Sequence, residues 1–379
     1  MADIKTHLRE ISVATTIGLL KENIKFKKEE LYSSQFFWKY ATELISNDIS
    51  SASNIKTISN FTGEYENIIN NGFNLGYAIF NNPYFNIDNN SIITWQGNNT
   101  QKDDPIDITV GQYGFSLKEE SFILENMGLY KLLNCYTGSK YKKRHIFSDY
   151  ARDDYEFWFQ TTWNELILYL NKHNRIWEYI DLKKNKHSII CLFDNYVQLK
   201  YYEKNTLLEN STLQINCSLH EYETKTNAKI REKVFSKFIN QELGNNKNYY
   251  LAKRQCAITS SKKVVEELNS NLKYSAGLPR FLRIHPKEYY YAKTTGAEIS
   301  IYKVPSLDSF KNEIKIESIV NSVPDSQANI LTTIKNIKTG KCLTLRNECR
   351  FSHGQFNGTP EAKMYYEHGG SLEVIYEKV

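Results

Sequence analysis

Apolar residues in the first 80 positions recur at mixed three- and four-residue spacing. The spacing holds over three segments, His7 to Asn23, Phe26 to Asn47 and Ser59 to Phe80. This period places apolar side chains on one face of an α-helix. Pro83 follows the third segment and closes it, because proline lacks the backbone N–H that a helix needs. The sequence therefore predicts a helical N-terminal region.

The period changes between residues 91 and 117. Ser91 to Trp95, Ile106 to Val110 and Tyr113 to Leu117 are short and rich in β-branched or aromatic residues. Glycines punctuate these segments, as is typical of tight turns between strands. We predict a small sheet in this part of the chain.

Later segments alternate between the two periods. Helical spacing returns in Phe122 to Cys135 and in Tyr150 to Asn171, and Lys229 to Glu242 is also predicted to be helical. Three strand-like segments lie between the last two helices: SIICLF, YVQLKYYE and TLQINCSL. The last hundred residues alternate strand-like segments with Gly, Pro, Asp or Asn, which favours a region rich in strands.

This order of elements predicts an α+β fold with a central mixed sheet flanked by helices and a β-rich C-terminal region. We expect three regions: residues 1–180, a mixed strand and helix elaboration over 181–275, and residues 276–379. The second boundary is placed at Ala276, Gly277 and Pro279, where turn-forming residues cluster.

Composition excludes several classes of protein. The chain is 41% hydrophobic and 13% aromatic, enough to fill real cores, so global disorder is excluded. No apolar run reaches the roughly 18 residues that a membrane span needs, and the N-terminus lacks the apolar segment of a secretion signal, so we expect a cytoplasmic protein with no membrane partner. Neither GxGxxG nor GxxxxGK occurs, so no nucleotide cofactor is expected.

The net charge of +5 is weak support for a nucleic-acid partner, so the distribution of charge matters more. The segment YTGSKYKKRH groups Lys142, Lys143 and Arg144 near two tyrosines, as segments that contact phosphates do. A solvated loop is the alternative interpretation, because runs of charge are usually exposed.

The segment with the most chemical content is DDPIDITVGQYGFSLKEE, residues 103–120. Side chains alternate along a strand, so Ser116 and Lys118 project to one face, and a hairpin can bring Asp107 alongside them. Metal-dependent phosphodiester hydrolysis needs such a pair. The carboxylate holds Mg²⁺ against the scissile phosphate, while the lysine positions or deprotonates the attacking water.

A second carboxylate is usual in such a site, yet Ser116 occupies the position two residues before the lysine. Glu64 is the expected replacement, since a helix lying over the sheet can bring its carboxylate into the same volume. Glu66 and Glu120 are the other candidates.

Pro105-x-Asp107 followed by Ser116-x-Lys118, after a helix carrying Glu64, resembles the PD-(D/E)xK nuclease superfamily, specifically type II restriction endonucleases. The phrases WQGNNTQKDDPIDI and GFSLKEESFILENMGLYKLLN are also similar to restriction enzymes with serine in the acidic position. The resemblance covers about residues 60–135 and departs from the usual pattern at Ser116. It implies that Asp107 binds Mg²⁺, Lys118 serves the attacking water, and Glu64 stands in as the second acid, with Glu120 kept as a further candidate metal ligand.

A second polar segment, LRNECRFSHGQFNGTPEAKMYY, lies near the C-terminus. Arginine reads guanine edges in the major groove, and asparagine or glutamine reads adenine. The candidate base-reading residues are Arg346, Asn347, Arg350, His353, Gln355 and Asn357. The alternative is a polar hairpin whose arginines pair with Glu348 or Glu361. Similar Arg-x-Ser-His-Gly segments occur in restriction enzymes, so region 276–379 is expected to be the DNA-recognition region and 1–180 to contain the nuclease core.

The first hypothesis is a Mg²⁺-dependent type II restriction endonuclease that cuts specific double-stranded DNA, leaves 5′-phosphates and acts as a homodimer. A two-fold protein matches the symmetry of a palindromic site. The alternatives are a non-catalytic DNA-binding protein on the same scaffold and a structure-specific repair or RNA-directed nuclease.

Overall fold

A computed structural model describes residues 4–52, 60–97, 105–119, 123–128, 133–134, 146–271, 278–296, 298–351, 354–357, 361–366 and 372–379. The α-helices are α1 (Ile4–Lys21), α2 (Ser34–Leu44), α3 (Glu64–Asn81), α4 (Ile146–Tyr150), α5 (Arg152–Lys172), α6 (Leu219–Lys225), α7 (Ser236–Glu242), α8 (Lys247–Asn271), α9 (Leu278–Phe281) and α10 (Leu307–Glu313). A π-helical turn, Ile230–Phe235, precedes α7, and the predicted helix from Lys229 to Glu242 comprises these two pieces.

The strands form three sheets in the described residues. The first has the order β1 (Ile93–Trp95), β2 (Ile108–Val110), β3 (Tyr113–Glu119), β9 (Tyr289–Thr295), β10 (Glu298–Val304) and β15 (Glu377–Lys378). The second has the order β11 (Ile314–Ser322), β12 (Ala328–Asn336), β13 (Cys342–Arg350), β14 (Glu361–Tyr366) and β4 (Ile123–Gly128). The third is a meander of β5 (Ile176–Asp181), β6 (Lys186–Leu192), β7 (Tyr196–Glu203) and β8 (Thr206–Gln214).

The first sheet is mixed, because β3 and β9 run parallel while its other neighbours are antiparallel. Helices α1 and α3 pack against it, so the predicted α+β class with a mixed sheet and covering helices is confirmed. None of the helices in the described ranges is long and apolar enough to cross a membrane.

Two hydrophobic cores lie on opposite faces of this sheet. The N-terminal helices pack on one face, in a core that includes Phe37, Phe115 and Tyr290. The other core contains Trp158 and Trp163 of α5, and it receives Tyr289. Neighbouring residues of β9 therefore enter different cores, as the alternation of side chains along a strand requires.

Small residues let α1 and α3 approach closely. A Cβ atom on Gly72 would lie 2.6 Å from the Cβ of Ser12, and one on Gly76 would lie 2.8 Å from the carbonyl oxygen of Val13. The hydroxyl of Ser12 also donates a 3.0 Å hydrogen bond to the carbonyl of Ile69. These contacts fix the position of α1 over the sheet.

One prediction about the fold is corrected. The segment Phe122 to Cys135 was expected to be a helix, but Ile123–Gly128 forms β4 and pairs with β14. Long-range pairing at the edge of the second sheet overrides the local spacing there. The division at residues 180 and 276 does not follow the sheets, because β9, β10 and β15 complete the sheet that begins with β1.

Candidate active site

The hairpin of β2 and β3 positions Asp107 through its backbone. The amide N–H of Asp107 donates to the carbonyl of Phe115 at 2.8 Å, and its carbonyl accepts from the N–H of Gln96 at 2.9 Å. Gly111 makes the turn with a φ of +57°, a conformation that favours glycine. Asp107 is therefore held between two strands, directly before β2 begins.

The carboxylate of Asp107 meets the lysine predicted to work with it. Its Oδ2 atom accepts from the Lys118 ammonium at 3.3 Å, from the N–H of Leu117 at 2.7 Å and from the Ser116 hydroxyl at 3.4 Å. The side chains of Asp107 and Lys118 are 18% and 27% exposed. The predicted placement of Asp107 beside Ser116 and Lys118 is confirmed, whereas their catalytic roles stay predictions.

Ser116 supports the aspartate and offers little else. Ser116 is 1% exposed, and its hydroxyl donates a hydrogen bond to the carboxylate of Asp107. A neutral hydroxyl turned toward Asp107 cannot supply the negative charge that the acidic position carries in the resembling nucleases.

A second carboxylate approaches from α1, and the sequence analysis missed it. Glu10 is 5% exposed, and its Oε2 atom accepts a 2.8 Å hydrogen bond from the indole N–H of Trp95. Burial, and then the negative charge of Asp107, raise the pKa of Glu10 to about 7. The Trp95 hydrogen bond and the positive charges of Lys118 and Arg9 oppose this rise. Glu10 thus belongs to the same electrostatic cluster as Asp107 and Lys118.

The adjacent arginine ties α1 to the lysine-bearing strand. Arg9 is buried, and its Nη2 atom donates to the carbonyl of Leu117 at 3.4 Å. On the other side of β3, the hydroxyl of Thr294 donates to the carbonyl of Lys118 at 3.5 Å and accepts from the amide of Asn71 at 3.1 Å. Helix α1 therefore contacts β3 directly, and α3 reaches the same end of β3 through Thr294 of β9.

A signal for Glu10 was present in the sequence. Arg9 and Glu10 precede an uncharged segment, ISVATTIGLL, at residues 11–20. Residues 7–19 of α1 are all buried. Charged residues are almost never fully buried unless they are paired, so two of them within a core helix indicate a function or a specific contact.

Glu64 does not contact this cluster. It is the first residue of α3, its side chain is 68% exposed, and it pairs with Lys5. No contact joins Glu64 to Asp107 or Lys118 among the described residues. Glu66 is also exposed, and its charge acts on Tyr32. Glu120 lies outside the described residues.

The cluster offers oxygen donors for a hard cation. Within the described ranges, no hydrogen bond is donated to Oδ1 of Asp107 or to Oε1 of Glu10, so each carboxylate keeps one oxygen available. Mg²⁺ is commonly bound through one or two carboxylates, with water and phosphate oxygens completing its shell. The donor set fits Mg²⁺ on this chemistry, although no group of three or more His, Cys, Asp or Glu residues lies together in the part of the chain that is described.

The predicted base-reading residues that the structure describes lie on β13 and in the turn that follows it. Arg346 pairs with Glu348 at 3.3 Å and lies over the ring of Tyr365, 4.8 Å from its centroid. Arg350 lies 3.9 Å from Glu348. Both arginines therefore pair with Glu348, as the alternative interpretation of a polar hairpin expects. Asn347 is fully buried, which corrects its assignment as a base reader, because a side chain in the core cannot reach a DNA groove.

The remaining candidates divide into two groups. Gln355 and Asn357 are partly buried in the turn that follows β13. The others lie outside the described residues: His353, Lys142, Lys143 and Arg144.

Comparison with known proteins gives no family for this chain. No family model matches it, and no curated protein and no solved structure is significantly similar to it.

Proposed function

We propose that this chain is a Mg²⁺-dependent endonuclease that hydrolyses phosphodiester bonds in double-stranded DNA, of the type II restriction class. The observation that carries the proposal is the 3.3 Å contact between Lys118 Nζ and Asp107 Oδ2, made by adjoining strands of a mixed sheet. The resemblance to PD-(D/E)xK nucleases supports it through the same two residues. Glu10 supports it by placing a second carboxylate in the cluster.

The proposal gives each residue a role that its contacts support. Asp107 and Glu10 would hold the cation, which supplies Lewis-acid stabilisation of the phosphate charge when bound. Lys118 orients the attacking water and offsets the charge that develops on the phosphate. The Leu117 N–H and Ser116 hydroxyl fix the rotamer of Asp107, and Arg9 fixes α1 against β3.

Direct attack by water forms a new bond from the water oxygen to phosphorus and breaks the bond to the 3′ oxygen. The products carry a 5′-phosphate and a 3′-hydroxyl. Cutting both strands of a palindromic site suits a homodimer, since each copy of the site then faces one strand. The partners proposed for the chain are therefore duplex DNA and a second copy of itself.

The deciding experiment is incubation of the full chain with phage DNA and Mg²⁺. Discrete fragments are expected from the wild type. Lys118→Ala is expected to abolish cutting and to retain DNA binding in a gel-shift assay with Ca²⁺. Lys338→Ala is the matched control, because Lys338 is an exposed lysine paired with Glu313 far along the chain. Undiminished cutting by Lys118→Ala would remove Lys118 from the mechanism.

One observation favours a second candidate, a non-catalytic DNA-binding protein. Ser116 is committed to Asp107 by a hydrogen bond, and it supplies no carboxylate in the acidic position. That protein would give a salt-sensitive shift of the DNA band and no fragments at any Mg²⁺ concentration. A structure-specific nuclease would cut flaps or junctions in preference to linear phage DNA.

A further inference from the structure

A polar cavity of about 340 Å³ lies away from the Asp107 and Lys118 cluster. It is formed by α4, α8, the segment before β12, the end of β13 and the turn that follows it. Its wall includes Phe147, Lys253, Gln327, Arg350, Phe351 and Gln355. The volume falls within the range of small-molecule sites in proteins.

Two cationic side chains line this cavity. Burial lowers the pKa of the Lys253 ammonium, and the charge of Asp325 opposes that effect. Arg350 lies 3.9 Å from Glu348 through Nη1, whereas its Nε atom is buried with no hydrogen-bond partner among the described residues. A partly desolvated ammonium and an unused guanidinium donor both favour an anionic ligand.

Two acceptors on the same wall also lack partners. The side-chain carbonyl oxygens of Gln327 and Gln355 are buried, and no described residue donates a hydrogen bond to either one. A buried acceptor left unsatisfied costs about 1–3 kcal/mol. The ligand that relieves this cost must therefore carry N–H or O–H donors in addition to a negative charge.

The wall also contains two aromatic rings, beside Ser326 and Cys349. The rings of Phe147 and Phe351 lie 5.2 Å apart between centroids, and the Lys253 ammonium is 6.0 Å from the ring centroid of Trp158. Aromatic faces beside convergent donors and acceptors are how proteins bind flat heterocycles.

We propose that this cavity binds one nucleoside monophosphate unit. Arg350 and Lys253 contact the phosphate, the carbonyl oxygens of Gln327 and Gln355 accept from donors on the base, and the base lies against Phe351, which Phe147 supports from the core. The unit is either a nucleotide of the DNA substrate turned out of the duplex or a free nucleotide. Only the first source rests on the proposed endonuclease function. The expectation of no nucleotide cofactor came from missing phosphate-binding loops, and this cavity contains no such loop.

Calorimetric titration of the full chain with the four deoxynucleoside 5′-monophosphates, and separately with inorganic phosphate, tests the proposal. At least one nucleotide is expected to bind ten times more tightly than phosphate. The proposal is overturned if no nucleotide binds, or if phosphate alone binds as tightly as every nucleotide.

Two variants on different elements locate the bound nucleotide. Gln327→Leu and Lys253→Met are each expected to weaken nucleotide binding at least tenfold, with Lys338→Met as the matched control that leaves it within twofold. The thermal unfolding midpoint of each variant is measured as well, to identify a variant that fails to fold. Nucleotide binding by the folded variant then decides whether the ligand lies in this cavity. Wild-type affinity in a folded Lys253→Met or Gln327→Leu protein would overturn the assignment.

The source is distinguished by repeating the titration on protein saturated with duplex DNA in Ca²⁺. Loss of nucleotide binding identifies the DNA as the source, and unchanged binding identifies a free nucleotide. Failure of the two proposals is separable. A chain that binds nucleotide without cutting DNA loses only the endonuclease function, and one that cuts DNA without binding nucleotide loses only this cavity.

Discussion

At the scale of single residues, the two carboxylates of the cluster differ in how their charge is maintained. Asp107 receives a hydrogen bond from a backbone N–H and the contact with the Lys118 ammonium. Glu10 has an indole hydrogen bond and is buried, and its pKa rises to about 7. Glu10 therefore gains its charge near neutral pH, beside a carboxylate that contacts an ammonium.

Glu10→Gln is expected to lower the Mg²⁺-dependent cleavage rate by at least about a hundredfold, because several kcal/mol of charge stabilisation depend on the metal ligands. Glu64→Gln is the matched control and should cut at nearly the wild-type rate, since Glu64 is exposed and paired with Lys5. The measurement is the single-turnover rate across a Mg²⁺ titration. If only Glu64→Gln shows a large loss of cleavage rate, the second metal ligand is Glu64 of α3 and not Glu10.

The pKa of Glu10 also predicts a pH dependence of stability. Its pKa is about 7 in the folded state, against 4.5 for the ordinary value, so the folded protein holds the extra proton between these pH values. The stabilisation is complete below pH 4.5 and is lost as the pH rises through 7. Glu10→Gln removes this loss. The unfolding free energy of the variant minus that of the wild type should therefore rise by on the order of 2–3 kcal/mol when the pH is raised from 5 to 8.

Urea unfolding in EDTA at the two pH values measures the difference. Arg9, Lys118 and Asp107 remain in both proteins, so their own contributions largely cancel in the comparison. A difference that stays constant from pH 5 to pH 8 would show that Glu10 is already ionised at pH 5.

At the scale of elements, the site depends on the packing of α1 against α3. Gly72→Ala would place a Cβ 2.6 Å from the Cβ of Ser12 and 2.8 Å from the carbonyl of Arg9, so the helices must separate. We expect a loss of about 1–3 kcal/mol in unfolding free energy, as overpacked cores show. Cleavage should also fall, because α1 carries Glu10.

Gly244→Ala is the matched control for this substitution. Its added Cβ meets only the carbonyl of Asn240, at 3.4 Å, an ordinary contact. Chemical unfolding and cleavage rates are measured on both variants. Equal stability of Gly72→Ala and the wild type would show that α1 tolerates a wider spacing.

The same elements indicate how far the sequence predicts the structure. The spacing of apolar residues predicted α1, α3 and the strands β1 to β3, but not that α1 is buried on all sides over residues 7–19. It predicted a helix where β4 lies, since a strand at a sheet edge is stabilised by its neighbour β14 and not by its own period. Asp107 and Lys118 were found because a hairpin is local. Glu10 was not, because nearly one hundred residues separate it from the aspartate.

At the scale of the whole molecule, the site belongs to a sheet built from distant parts of the chain. β3 pairs in parallel with β9, through residues such as Leu117 and Ala292. Tyr289 and Tyr290 then extend from β9 into the two cores. The sheet that holds the site is complete only when residues near 290 have joined it.

A fragment of residues 1–180 is therefore expected not to fold and not to cut DNA, although the hairpin with Asp107 and Lys118 is present in it. Removing β9 leaves an unpaired edge on β3 and exposes apolar surface beside Phe115. Circular dichroism, thermal unfolding and cleavage are compared between the fragment and the full chain. A cooperatively folded, active fragment would restore the boundary predicted at residue 180.

If the chain acts on DNA as proposed, the proton on Glu10 affects the charge that a phosphate meets at the site. Below about pH 7, Glu10 holds its proton and adds no negative charge beside Asp107. The phosphodiester backbone can then approach without repulsion from two adjacent anions. On the proposed function, a cation would compete with this proton for Glu10, so acidification is expected to weaken metal uptake more than docking of DNA.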